Sequence, residues 1–468
     1  MMSQSDRTIA ALATRSGRSA LAVIRVSGLR AFQVIRQLLS TEDAERLEDR
    51  RASLVSLYSF GEDNRRRLLD ECIVVPYTAP ETFTGEDIVE IFTHGGRLIP
   101  SLVLQSLVRA GADLAKPGEF TQRAFLNGKI DLAKAEAIDS LSHADTTVEL
   151  DLIHHHYSGQ FSSEIKKIRS EITDLLSLLE LELDFAEEDV EFADRAELRS
   201  RLDFLESLLH KLSHSYQRAH LIREGIRVAI IGKPNVGKSS LLNLLLKRER
   251  SIVTDIPGTT RDVIEEAVEI RGQKYVFIDT AGIREADDIV EKEGVRRSQS
   301  ALENADVIML VIDSSRSLDR EDWEIRQRVL QQKTSTQGII IINNKTDLDV
   351  QAGVEERRSF CADMITLELS CVTGDGLEAL EKSLTAATHD LYASGSDDFM
   401  VLNLRQKNAV DRALSAVVSA KQHFEEGLSQ EFIATDIRHA IDALSELIGE
   451  ITTEDVLGHI FSNFCIGK

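Results

Sequence analysis

The chain has 468 residues, of which 42% are hydrophobic, and a formal net charge of −23 at pH 7. The length points to about three domains, and the acidity disfavours broad, tight contact with a phosphate backbone, leaving a local basic patch or a partner's patch as the route to nucleic acid. No apolar run reaches the ~18 residues of a membrane span, the first residues lack an apolar secretory core, and Cys72, Cys361, Cys371 and Cys465 form no C-x-x-C pair, so the expectation is a cytosolic protein with no membrane part and neither disulfides nor structural zinc.

Residues 1–119 mix short β-rich runs (Leu21 to Val26, Cys72 to Val75, Ile88 to Phe92) with helical patterns, and read as one compact α/β domain. Residues 120–222 read as helical. In "EIKKIRSEITDLLSLLELEL", Ile165, Ile168, Ile172, Leu175, Leu176 and Leu179 share one helix face. The charged stretch "DFAEEDVEFAD" that follows is expected to be a solvated turn or connector. No proline lies between Pro117 and Pro234, and none after Pro257, which suits long helices. The histidines His154 to His156 sit in a helical pattern that points consecutive residues to different faces, which favours a solvated cluster over a metal site.

Over residues 223–379 the period changes. "IRVAIIG", "YVFIDTAG", "DVIMLVID", "GIIIINNKTD" and "ITLELSC" are apolar runs, mostly separated by helical patterns. Such alternation implies a mainly parallel sheet covered on both faces. Residues 380–468 read as helical again. The economical organisation is a helical domain in two pieces with an α/β domain inserted between them, as a domain with neighbouring termini permits.

The inserted segment carries "GKPNVGKSS", which fits G-x-x-x-x-G-K-[ST] and lies between a strand-like and a helix-like run. Backbone N–H groups of Asn235, Val236, Gly237, Lys238, Ser239 and Ser240 are expected to wrap phosphates, with Lys238 on the β- and γ-phosphates and the Ser239 hydroxyl on Mg²⁺. In "DIPGTTRD" (Asp255, Ile256, Pro257, Gly258, Thr259, Thr260), Thr260 is placed to close over the Mg²⁺ and γ-phosphate. In "DTAG" (Asp279, Thr280, Ala281, Gly282), Asp279 would hold the metal through water and the Gly282 N–H would touch the γ-phosphate. "NNKTD" ends a strand, so Asn344, Lys345 and Asp347 fall at the carboxyl end of the sheet, where ligands bind. A carboxylate there accepts both N–H donors of guanine, a pair that adenine lacks. Ser370, Cys371 and Val372 follow near the base, and the expected substrate is GTP.

Ras-like switches place a Gln after the sensing Gly to orient the attacking water; here the next residue is Ile283. Two polar candidates replace it. The amide oxygen of Asn235, with carbonyls of Thr254 and Ile256 and with Thr259, would bind a monovalent cation that neutralises transition-state charge. Glu291 would reach back and position water. Arg261 and Arg284 stay open as further helpers.

"TFTGEDIVEIFTHGG", "PGEFTQRAFLNGKIDLAKAEA", "GKPNVGKSSLLN", "DIPGTTRD", "DTAGIRE" and the terminal "FCIGK" together resemble the MnmE (TrmE) family of tRNA-modification GTPases over essentially the full length. The resemblance implies an α/β multidomain chain: an N-terminal tetrahydrofolate-binding-like α/β domain, a discontinuous helical domain and an inserted Ras-like P-loop GTPase domain. It implies a homodimer through the N-terminal domains and potassium-dependent pairing of the GTPase domains, with Asn235 helping to bind K⁺ and Glu291 orienting water. It also implies an FAD-dependent partner, MnmG, and joint modification of C5 of a tRNA wobble uridine with a carbon from methylenetetrahydrofolate. The folate contacts of the family fall on Arg25, Glu90, Lys129 and Lys468. A pterin edge suits Glu90, and the glutamate tail suits Arg25, Lys129 or Lys468. The terminal helical segment would bring Cys465 and Lys468 to that site, with Cys465 either a chemical participant or a packing residue. The chain departs from the family's usual pattern at Arg18-Ser19-Ala20, Phe83 and Cys371. "CIGK" is no prenylation box, since Lys is not a usual final residue there. The alternative is a ribosome-assembly GTPase, but no basic G-x-x-G appendage for reading RNA occurs.

Overall fold

A computed structural model describes residues 7–60, 66–184, 195–248, 250–252, 266–278, 301–334, 337–348, 354–362, 364–392, 400–462 and 464–467. The chain divides into two compact units, one of residues 1–143, 154–207 and 409–468, the other of residues 144–153 and 208–408.

The first unit holds a six-stranded sheet of β1 (Ile9–Leu12), β2 (Leu21–Ser27), β3 (Ser53–Phe60), β4 (Arg66–Tyr77), β5 (Ile88–His94) and β6 (Asp113–Leu114), in the order β3-β4-β5-β2-β1-β6. Only the β1–β6 pair is parallel. Side chains alternate across a strand, and the alternation here separates two chemistries. Ile24, Val26, Val55, Leu57, Val74, Val89 and Ile91 face a core completed by Val34, Ile35, Val103 and Leu107 from helices Ala31–Gln37 and Leu98–Arg109. Each such side chain contributes ~1.5–3 kcal/mol when fully buried. At the intervening positions β2 and β5 carry Arg25 and Glu90, directly opposite each other in the antiparallel register. β3 and β4 place the exposed Leu54 opposite the exposed Ile73.

The two helical pieces meet in this same unit. Helix Gln160–Asp184 buries Ile165, Ile168, Ile172, Leu175 and Leu179, and Leu176, expected on that face, is half-buried at its edge. Helix Gln430–Ile448 packs against it, with Arg438 Nη2 2.7 Å from Glu180 Oε1 and Arg169 Nη1 3.3 Å from Ser445 Oγ. Leu457, Phe461 and Phe464 near the C-terminus join Leu132 and Ala135 in a further apolar cluster. The histidine run corrects one expectation. His154 is solvent-facing, but His156 is buried and stacked on Phe161 with ring centroids 4.0 Å apart. The helix turns every third or fourth residue inward, which carries His156 onto Phe161. Among the described residues no cluster of His, Cys, Asp or Glu fits a metal ion.

The second unit is built on a seven-stranded sheet of β7 (Ile226–Ile231), β8 (Arg250–Ile252), β9 (Glu266–Ile270), β10 (Gln273–Ile278), β11 (Val307–Asp313), β12 (Gly338–Asn344) and β13 (Ile365–Glu368), in the order β13-β12-β11-β7-β10-β9-β8. The pairs from β13 to β10 are parallel; β9 and β8 extend the sheet antiparallel. Leucines of helices Lys238–Arg248 and Leu377–Tyr392 cover one face, and Ala301, Leu302, Ala305 and Val329 pack on the other. All seven residues of β11 are buried, so an uninterrupted apolar run is what that position demands. Strand order reverses at β7, whose neighbours β10 and β11 both come later in the chain. A crevice therefore opens beyond its carboxyl end.

Candidate functional site

The segment filling that crevice is 232–239, between β7 and helix Lys238–Arg248. Its path needs glycine. Gly232 has φ +155°, and a Cβ there would lie 2.3 Å from the Val311 carbonyl oxygen; Gly237 has φ +103°, and a Cβ would lie 2.1 Å from Asn344 Nδ2. Asn235 is left-handed at φ +61°, a conformation Asn tolerates, and is exposed at the loop's outer edge. Lys238 Nζ donates to the carbonyls of Gly232 at 2.8 Å and Lys233 at 2.7 Å. Burial pushes this ammonium below its ordinary pKa. A cation turned onto its own loop, at the N-terminus of a helix, forms a cradle for phosphate.

The strand ends supply the rest. Asn344 is buried; its Nδ2 donates to the Val236 carbonyl at 2.8 Å and its Oδ1 accepts from the Cys371 N–H at 3.2 Å. Lys345, left-handed at φ +67°, donates from Nζ to Asp313 Oδ2 at 2.7 Å. Burial works against ionised Asp313, but Lys345 and Ser315 outweigh it and hold the carboxyl below its usual range. Asp347 is exposed, and its Oδ1 accepts from Ser370 Oγ at 2.6 Å, which fixes the carboxylate. Ser370 Oγ in turn accepts from the N–H groups of Val372 and Thr373 at 3.3 and 3.2 Å. Cys371 is half-buried with its thiol pushed up to about 11, chiefly by burial. Ser239 is half-buried at the helix start, and Ser240 is exposed. Asn235 to Ser240, Asn344, Lys345, Asp347, Ser370, Cys371 and Val372 thus gather around one crevice.

A second polar site lies on the first sheet. Arg25 Nε and Nη2 donate to Glu90 Oε1 at 3.0 and 2.8 Å, and Tyr77 Oη approaches Glu90 Oε2 at 3.5 Å. The guanidinium stands 5.9 Å from the Phe83 ring and 5.8 Å from the Phe120 ring. Its Nη1 donates to the Gly467 carbonyl at 3.4 Å, and the Gly118 N–H donates to the Cys465 carbonyl at 3.4 Å. The C-terminal segment therefore returns to Arg25 through Gly467, with Cys465 exposed. Lys129 packs its aliphatic stem near Gly85 of the "TFTGED" loop. Next to this site Arg123, 6% exposed, bridges Glu86 at 3.0 Å and Glu119 at 3.1 Å.

Comparison with known proteins decides the assignment. Residues 8–129 match the family described as GTP-binding protein TrmE N-terminus, and residues 132–465 match the MnmE helical domain. The tRNA modification GTPase MnmE of Alkaliphilus metalliredigens (strain QYMF) is 39% identical over 99% of each chain. The chain belongs to the MnmE family of tRNA modification GTPases. The MnmE of Thermoanaerobacter sp. (strain X514) is 40% identical over 98% of this chain and 99% of its own. Among solved structures, an Era variant of Aquifex aeolicus bound to GDP.AlF4- is 28% identical, covering 41% of this chain and 66% of its own, at a TM-score of 0.28.

Several MnmE-family residues expected at these sites lie outside the described residues: Thr254, Asp255, Ile256, Pro257, Gly258, Thr259, Thr260, Asp279, Thr280, Ala281, Gly282, Glu291 and Lys468, with Arg261 and Arg284. Sequence reasoning missed the bracing role of Asn344, the Arg123–Glu86–Glu119 network and the buried Lys233. Charged residues inside the quoted family motifs were the available signal for the last two.

Proposed function

We propose that this protein is a potassium-stimulated GTPase that acts with the FAD-dependent partner MnmG to modify C5 of the tRNA wobble uridine. The group added is of the aminomethyl or carboxymethylaminomethyl type, and its carbon comes from a tetrahydrofolate derivative. The observation that carries this reading is the pairing, on one chain, of the Lys238 phosphate cradle with the Arg25–Glu90 site to which the C-terminal segment returns. In the proposed reaction GTP and water give GDP and phosphate. Lys238 leaves its loop carbonyls for the phosphates, where its charge offsets theirs. Asp347, held by Ser370, takes the guanine N–H pair, and Asn344 keeps the base loop and phosphate loop in register. Ser239 and Thr260 would hold Mg²⁺. Asn235, Thr254, Ile256 and Thr259 would hold K⁺, supplying positive charge at the phosphates, and Glu291 would orient the water. Arg25, Glu90, Lys129 and Lys468 would hold the folate. The half-buried guanidinium, aromatic neighbours and carboxylate edge of the described three suit a pterin carrying a glutamate tail.

The domain limits we propose are 1–119, 120–222, 223–379 and 380–468. An N-terminal homodimer fits the open face of the first sheet, where Leu54 is 72% exposed beside Ile73 at 43%, an apolar patch that a second copy would cover. The GTPase domains would pair during hydrolysis, and the protein would work in the cytoplasm; among the described residues no helix is long and apolar enough to cross a membrane. The test is GTP turnover in KCl against NaCl at equal ionic strength. We expect hydrolysis roughly 10-fold or more faster in KCl, a modest part of what an arginine finger supplies. Equal rates would remove the cation role of Asn235, and unchanged wobble nucleosides in tRNA from cells lacking the protein would remove the tRNA role.

A further inference from the structure

The phosphate loop contains a second lysine that the reaction scheme does not use. Lys233 directly follows Gly232, and its side chain is 4% exposed. Its Nζ donates to Asp319 Oδ2 at 2.6 Å and lies 2.8 Å from Asp322 Oδ2. Both carboxylates open helix Arg320–Gln332. Asp319 Oδ1 accepts from the N–H groups of Glu321 and Asp322, and Asp322 Oδ2 accepts from the Asp319 N–H, a reciprocal capping box. Lys233 is thus the counter-ion of a helix cap 86 residues away. Burial opposes its charge, but the two aspartates outweigh that and raise its pKa. An ammonium left in this place without them would be strongly disfavoured.

The backbone of the same residue does something different. The Lys233 carbonyl is one of the two acceptors of Lys238 Nζ, at 2.7 Å. The orientation of that carbonyl fixes where the phosphate-binding ammonium rests. Its preceding peptide is pinned as well, because Gly232 lies against Val311.

Resting on the GTPase reading, we infer that Lys233 is a positioning residue for nucleotide binding. Its side chain anchors the start of the phosphate loop to the cap of helix Arg320–Gln332, and so sets the carbonyl that orients Lys238. It also balances two carboxylates that would otherwise add negative charge close to the phosphates. Helix Arg320–Gln332 then becomes a lever on phosphate affinity, since moving its first turn moves the loop.

The experiment measures GDP and non-hydrolysable GTP affinity by fluorescence titration of the full chain, with thermal melting alongside. The variants are Lys233→Met, Lys233→Arg and Asp319→Asn. We expect Lys233→Met to weaken both nucleotides about 10-fold or more and Lys233→Arg to restore binding to within about threefold, since Arg keeps the charge and the reach. Asp319→Asn keeps an oxygen for the cap but removes one charge, and should weaken binding several-fold; it carries the test if Lys233→Met does not fold. A folded Lys233→Met, or failing that Asp319→Asn, that melts lower yet binds both nucleotides like the wild type overturns the inference and leaves only a structural ion pair. A wild-type chain that binds neither nucleotide overturns the GTPase reading itself.

Discussion

Asn344 shows how one side chain holds a site together without touching a reacting atom. Both ends of its amide are used, one on the Val236 carbonyl and one on the Cys371 N–H, and it is almost fully buried. Removing it would leave the buried Val236 carbonyl unpaired, at a cost of about 1–3 kcal/mol, and the part-buried Cys371 N–H without its acceptor. The cysteines allow a sharper test at this scale. Burial pushes the Cys72 thiol up to about 12 and the Cys371 thiol up to about 11. A thiol near 11 is only about one part in a thousand thiolate at pH 8, and the thiolate is the reactive form. Cys465 is exposed. Iodoacetamide at pH 8 followed by peptide mass spectrometry should therefore label Cys465 well before Cys371 or Cys72. Labelling of Cys371 at the rate of Cys465 would mean that the base loop does not cover it.

Among the elements, helix Gln160–Asp184 was legible because its apolar spacing is local. Ile172 is fully buried while Leu176, one turn on, is only half-buried. Ile172→Ala should cost about 2–5 kcal/mol by urea denaturation, and Leu176→Ala clearly less; equal losses would mean that the helix is rotated from this placement. The central strands were legible for a related reason: a strand buried on both faces reads as an unbroken apolar run. β9 ("EAVEI") and β8 are short antiparallel additions at the sheet edge, with too few residues to impose a pattern. The phosphate loop was legible because its geometry rests on contiguous backbone and two glycines. The Lys233 clamp and the Asn344 brace were not, because their partners lie 86 and 108 residues away. Only the folded sheet brings those groups together. Arg25 and Glu90, 65 residues apart, became a pair through the family resemblance and then through the β2–β5 register.

For the whole molecule, the two candidate sites fall in different units: the phosphate loop in residues 208–408, the Arg25 site and the C-terminus in the other. A change at the C-terminus should therefore read out at one site alone. Phe461 and Phe464 anchor the final segment among Leu132, Ala135 and Leu457. Beyond them, among the described residues, backbone carbonyls reach the Arg25 region, from Cys465 to the Gly118 N–H and from Gly467 to the Arg25 guanidinium. Gly467 is left-handed at φ +95°, and a Cβ there would lie 2.5 Å from the Leu12 carbonyl oxygen, so the approach is close. A chain ending at Phe464 keeps the aromatic anchor and loses the Gly467 carbonyl that accepts from the guanidinium. Its melting temperature should change little, because no large apolar side chain of the cluster is removed. Its affinity for 5-formyltetrahydrofolate should fall about 10-fold or more, which corresponds to ~1.4 kcal/mol, while GDP affinity stays as in the full chain. Titration of both ligands on both proteins separates the outcomes. If folate binding survives the truncation unchanged, the terminal segment is only a packing element. If both affinities fall together, the two units do not act separately.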